Sequence, residues 1–128
     1  SKNGPGELKD SFCTPRGKHI IRAKIGAGQE LGTIFKNRRP TGEIFSEMTH
    51  QFDEGDWILT RILWLSGIEK GRNRLGNVDT MQRFIYIHGT PDETVLGVPR
   101  SKGCINMANK DIIQVFDSVE IGTIVYIE

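Results

Sequence analysis

Runs of β-branched and apolar residues recur along the chain at strand length, separated by clusters rich in Gly, Pro and polar residues. "KHIIRAKI" (18–25) reads as a strand, and "TIFKNRRPTGEIF" (33–45) as two short strands around an "RPTG" turn. "DWILTRILWLSG" (56–67) carries the most information. With a period of two, Trp57, Leu59, Arg61, Leu63 and Leu65 share one face, and Ile58, Thr60, Ile62 and Trp64 share the other. Apolar residues on both faces, with aromatic and β-branched types among them, favour a strand in the middle of the domain over a helix. "MQRFIYIHGT" (81–90) reads as a further strand that ends in "HG", and "GTIVYIE" (122–128) as a closing one.

Only one segment changes period. From Asn109 onward, Ile112, Ile113, Phe116 and Val119 fall on one helical face, with Asn109 placed as an N-cap. Residues 68–80 and 91–103 read as loops, the second containing Pro91, Pro99, Gly97 and Gly103. The first seventeen residues are polar and glycine-rich up to the "CTPRG" turn. No repeat, linker or low-complexity tract interrupts the 128 residues, which suit one domain with a single core. The expectation is one mainly β domain with a late helix.

Composition narrows the classes. Seventeen Lys and Arg against sixteen Asp and Glu give no net field that would select nucleic acid or an anionic membrane. No apolar run approaches the roughly 20 residues of a membrane helix. Cys13 and Cys104 are too few for a disulfide framework, and two free thiols are the economical reading. "SKNGPGELKD" is polar and lacks the pattern of a signal peptide. Because the chain opens in loop-like sequence, an upstream strand or an export signal can precede Ser1. A signal there would place the protein in the periplasm or envelope, and its absence in the cytoplasm.

The candidate chemistry lies in "VPRSKGCINM" (98–107), whose Cys104 is sixteen positions beyond His88. A nucleophilic thiol needs a nearby base, stabilisation of its thiolate, and donors aimed at the developing oxyanion. Gly103 permits a tight turn that brings its own N–H and that of Cys104 towards one point. A helix N-terminus close behind would add positive potential. Spacing alone does not decide: a lone cysteine is more often a small buried hydrophobe, and a lone histidine a satisfied polar residue. A metal centre is weaker still. Cys13, His19, His50, His88 and Cys104 contain no close ligand pair, and no cofactor is implied.

The order of motifs adds more. "YIHGTPDETVLGVPRSKGCINM", preceded by "TPRGKHII" and followed by "VEIGTIVYI", resembles the catalytic signature of the L,D-transpeptidase (YkuD-type) domain. The resemblance covers most of the chain from Cys13 onward. It implies a β-sandwich-like fold with a mixed sheet, Cys104 as nucleophile, and His88 as general base oriented by the carbonyl of Gly89. Ser101, Lys102 and Gly103 match the loop that shapes the oxyanion hole. Asn106 matches a motif position where many relatives carry Arg, and Lys102 replaces the commoner His, leaving His88 as the only base in the motif.

The substrate so implied is a peptidoglycan stem peptide or muropeptide, attacked at the L-centre carbonyl ahead of D-alanine. Water as acceptor gives an L,D-carboxypeptidase of muropeptide recycling, and an amine gives a cross-linking transpeptidase. A catalytically silent wall-binding protein on the same fold is the alternative from another class. Arg61 is a candidate partner for a substrate carboxylate or, equally, for an internal acid. Tyr86, on the strand face of His88, lines a pocket or packs, and residues 26–56 are long enough to form a lid or substrate wall.

Overall fold

The computed structural model describes residues 1, 3–46, 57–91 and 103–128. Its elements, in chain order, are β1 (Gly17–Ile25), β2 (Thr33–Lys36), β3 (Arg39–Ile44), β4 (Leu59–Gly67), β5 (Tyr86–Thr90), β6 (Ile105–Ala108), α1 (Asn109–Ser118) and β7 (Ile124–Ile127). β4 is the middle strand, as its two apolar faces predict. β1 runs antiparallel along one edge, with Ile25 opposite Ile62 and His19 opposite Gly67. β5 runs antiparallel along the other, with Ile62 opposite His88 and Trp64 opposite Tyr86. β7 pairs outside β1, and β6 lies parallel to β5, so the sheet is mixed.

Each face of the sheet collects its own apolar cluster. On one, Ile21, Leu63, Leu65, Ile85 and Ile87 are covered by Ile112 and Phe116 of α1. Ile112 and Phe116 stand one turn apart on the helix, so both point at the sheet. Each large apolar side chain buried here contributes about 1.5–3 kcal/mol relative to exposure. On the other face, Ile62 and Tyr86 pack with Phe35, Trp64 and Cys104. The alternation of β5 and β6 follows: Ile87, Ile105 and Met107 face the helix, while Tyr86 and Cys104 face away.

Three expectations are corrected. The β2–β3 turn falls at Asn37 and Arg38, with φ of 49° and 62°, and the "RPTG" residues lie within β3. Two consecutive left-handed residues make the hairpin turn whose twist matches its strands, and Asn adopts that conformation readily. The strand expected from Met81 begins only at Tyr86. Arg83 N–H instead donates to the Asp79 and Thr80 carbonyls, Gln82 N–H to Asp79 Oδ1 and Phe84 N–H to Met81 O, closing 79–84 into turns. Finally, the helix begins at Asn109, as its period predicts, but behind an unexpected strand. The four-residue β6 intervenes, and Ala108, not Asn109, is the N-cap residue.

Candidate active site

Cys104 sits at the entry to β6 beside the start of β5. Its Sγ receives the Tyr86 backbone N–H at 3.4 Å and lies 3.5 Å from the Phe84 carbonyl, to which the thiol donates. A backbone N–H aimed at sulfur favours the thiolate over the thiol. The Arg83 guanidinium is electrostatically coupled to both Cys13 and Cys104. Burial lowers the Arg83 pKa, an effect that the nearby carboxylates of Glu7 and Asp10 help to offset. Arg83 is fixed by donating to the carbonyls of Gly6 and, at 2.6 Å, Cys13.

The helix dipole makes a smaller contribution than the sequence suggested. β6 carries the chain roughly 13 Å, at about 3.3 Å per residue, before α1 begins. A helix N-terminus acts mainly within its first turn, so α1 does not aim its positive end at the thiol.

His88 lies on β5 two residues beyond Tyr86, on the same face and 1% exposed. Its Nδ1 is 2.7 Å from the Gly89 carbonyl. A carbonyl can only accept, so Nδ1 carries the proton and, in the neutral ring, Nε2 is the basic nitrogen. Gly89 is required by crowding: a Cβ there would run into Asn109 Oδ1 and come within 2.7 Å of the Leu59 carbonyl. Asn109 Oδ1 in turn accepts the Thr60 hydroxyl at 2.7 Å, and Thr60 Oγ1 accepts Gly32 N–H at 3.0 Å. Thr60 is held at φ 74°, an uncommon conformation for a β-branched residue, where the β4–β5 register shifts.

Gly103 precedes the thiol at φ 129°, with a Cβ position only 2.8 Å from Ile85 Cδ1 and 3.1 Å from the Cys13 carbonyl. Thr14 Oγ1 donates to the Gly103 carbonyl at 2.9 Å, tying the N-terminal turn to the cysteine loop. Asn106 pairs with His88 in the β5–β6 register and, by alternation, shares the face of Cys104. Its Oδ1 is buried with no hydrogen-bond partner among the described residues. Ser101 and Lys102 lie outside the described residues.

Arg61 does not join this group. Its Nη1 donates at 2.7 Å to the carbonyls of Gln29 and Thr60, and its guanidinium lies 5.5 Å from the Phe116 ring centroid, on the helix side of the sheet. Among the described residues it has neither of the uses expected for it: it makes no ion pair with an acid, and it faces away from Cys104. The shift at Thr60 supplies a backbone carbonyl for Nη1, while Nε is buried with no hydrogen-bond partner among the described residues. Tyr86 packs and also contributes a polar group, its hydroxyl accepting Arg38 Nη1 at 3.1 Å. Arg38, Trp64 and Phe84 stand beside it and carry no motif that would single them out in the sequence.

Among the described residues His19 is the other buried histidine, and both its ring nitrogens have partners. Its Nδ1 lies 3.0 Å from the Gly17 carbonyl and its Nε2 2.9 Å from Thr80 Oγ1. Burial holds its pKa below the ordinary value. No group of three or more potential metal ligands occurs among the described residues, and none of their helices is long and apolar enough to cross a membrane.

Cys104, at the entry to β6, and His88, on β5, thus lie on one face of one mixed sheet. The sequence profile of the YkuD L,D-transpeptidase catalytic domain matches residues 3–127, and the chain belongs to that family. No curated protein is significantly similar in sequence. Among solved structures, an L,D-transpeptidase from Mycobacterium smegmatis aligns with 96% of this chain at 19% identity and a TM-score of 0.46. The chain spans 46% of that protein's length.

Proposed function

We propose that the protein is a cysteine acyl-transfer enzyme of peptidoglycan metabolism, acting on the bond between an L-centre and a terminal D-alanine in a tetrapeptide stem. The observation that carries this reading is the His88 Nδ1 contact to the Gly89 carbonyl at 2.7 Å. In this reading Nε2 is the base on the face that Cys104 shares, and the family match over residues 3–127 spans both residues.

In the proposed cycle His88 Nε2 takes the thiol proton and Cys104 Sγ attacks the carbonyl carbon. The N–H groups of Gly103 and Cys104 are the proposed oxyanion donors, and Ser101 and Lys102 belong to the same loop. As the C–N bond breaks, His88 returns the proton to the departing D-alanine amine, leaving a thioester on Cys104. An acceptor gives its proton to His88 and attacks the thioester, which restores the thiol. Water gives a tripeptide stem and an amine gives a cross-link; both use the same acylation step. Asn106, with its buried acceptor facing the site, serves as a substrate contact.

The products separate these outcomes. Incubation with a disaccharide tetrapeptide, followed by mass analysis, yields tripeptide and free D-alanine if water is the acceptor, and dimers if an amine is. Cys104→Ala abolishes both products while leaving the thermal transition in place. A folded protein that binds the muropeptide yet releases no D-alanine would instead establish the silent, wall-binding reading.

A further inference from the structure

On the face that carries Cys104, the tip of the β2–β3 hairpin places one cation against three aromatic side chains. The Arg38 guanidinium carbon lies 4.8 Å from the Phe84 ring centroid and 5.2 Å from that of Trp64. Those two centroids are only 5.9 Å apart, too close for a guanidinium to sit between the rings. Arg38 therefore caps the pair from one side. Its Nη1 donates to the Tyr86 hydroxyl at 3.1 Å, and Tyr86 stands edge-on to Trp64 at 5.7 Å.

The platform is rigid where it needs to be and open where a ligand would enter. Trp64 Nε1 is tied to the Met81 carbonyl at 3.1 Å, and Tyr86 is 4% exposed. Phe84 remains 50% exposed, and Arg38 is half-buried. Such a cation is oriented by π contacts and one hydrogen bond while its other N–H groups remain for a planar anion. Among the described residues Arg38 makes no ion pair with a carboxylate.

The same tyrosine reaches from this cation to the thiol. Tyr86 N–H donates to Cys104 Sγ at one end, and Tyr86 Oη accepts Arg38 at the other. One tyrosine side chain therefore separates the sulfur from the guanidinium. Arg38 is thus a cation on the face of the thiol, separated from it by one side chain.

We propose that Arg38, held on Trp64 and Phe84 and oriented by Tyr86, is the specificity-determining residue that binds the free carboxylate of the substrate's terminal, departing residue. This rests on the reading of the site as one that cleaves a stem peptide next to its C-terminus. It gives the hairpin a role in selecting substrates that end in a carboxylate one residue beyond the scissile carbonyl. It also assigns to Arg38 the carboxylate recognition that sequence patterning suggested for Arg61.

The test measures binding apart from turnover. In a Cys104→Ala background, affinities are measured calorimetrically for a tetrapeptide stem and for the same stem with its terminal carboxylate converted to carboxamide. With Arg38 intact the carboxylate form binds about ten- to a hundredfold more tightly, the range expected of a charge-assisted fork. Arg38→Gln removes that preference and leaves the carboxamide affinity unchanged, and Arg38→Lys restores only part of it. If Arg38 merely props the hairpin, both ligands lose affinity together, which overturns the proposal. Equal binding of the two ligands with Arg38 intact, or a preference that survives Arg38→Gln, overturns it as well. D-alanine release by the protein with Cys104 intact reports separately on the function, so loss of one reading is distinguishable from loss of the other.

Discussion

At the scale of single residues, the account turns on how His88 is held. The Gly89 carbonyl sets its tautomer, and the Gly89 backbone is seated against Asn109 and Leu59 with no room for a side chain. Gly89→Ala should therefore displace the carbonyl, lowering kcat by an estimated ~10²-fold or more while binding of the stem peptide changes little. Steady-state kinetics, with a thermal melt to verify folding, would check this; unchanged kcat would remove Gly89 from the positioning scheme. The cysteine, histidine and glycine proposed for this scheme stand out in the sequence because their spacing and order resemble a motif. Arg61 is harder to read, since an arginine among apolar residues signals a need for partners without saying which ones. Its partners are two backbone carbonyls, and backbone geometry at a register shift leaves no pattern in side-chain types. Arg38 was invisible for a related reason. Its neighbours Trp64, Phe84 and Tyr86 are brought together only by the pairing of strands distant in sequence.

At the scale of elements, the β2–β3 hairpin links local conformation to the site. Asn37 and Arg38 both adopt positive φ, and Asn is among the few non-glycine residues that do so at low cost. Asn37→Val places a β-branched residue there at a cost of roughly 1–2 kcal/mol. If the hairpin positions Arg38, this substitution raises KM for the tetrapeptide with a smaller change in kcat. Asn37→Gly, which keeps the turn, leaves KM near its starting value. Equal KM values in all three proteins would separate the hairpin from substrate binding.

Strand and helix existence were read well where the period was clear, as in β1, β4 and α1. Boundaries failed where hydrogen bonds to turns overrode the pattern. "MQRF" has strand-like residues, yet Asp79 draws it into turns through both its side chain and its carbonyl. β6 was missed because four residues are too few to show a period, and because its parallel partner β5 cannot be inferred from local sequence.

At the scale of the whole molecule, the sheet divides its labour between two faces: α1 seals one, and the hairpin, aromatic residues and thiol occupy the other. The N-terminal turn is bound into this arrangement through Thr14 and Arg83, so the first seventeen residues, read from sequence as a polar lead-in, form part of the site's support. His19 adds a pH dependence to stability. Burial depresses its folded-state pKa, so the unfolded chain binds a proton that the folded protein resists. The stability from this site is complete above the ordinary value of about 6.5 and declines as pH falls below it. Chemical denaturation at a series of pH values should show that decline, and His19→Gln should flatten it whatever its effect on absolute stability. An identical slope in both proteins would locate the pH dependence elsewhere.

The central claim is that Cys104 forms a covalent acyl intermediate with His88 as its base. The most direct measurement is the mass of the intact protein, quenched in acid milliseconds to seconds after mixing with a tetrapeptide stem. The account predicts an added mass equal to the acyl tripeptide fragment, located by proteolysis on the Cys104 peptide, stoichiometric with D-alanine release and absent from Cys104→Ala. Release of D-alanine by Cys104→Ala, or an adduct on Cys13, would contradict it.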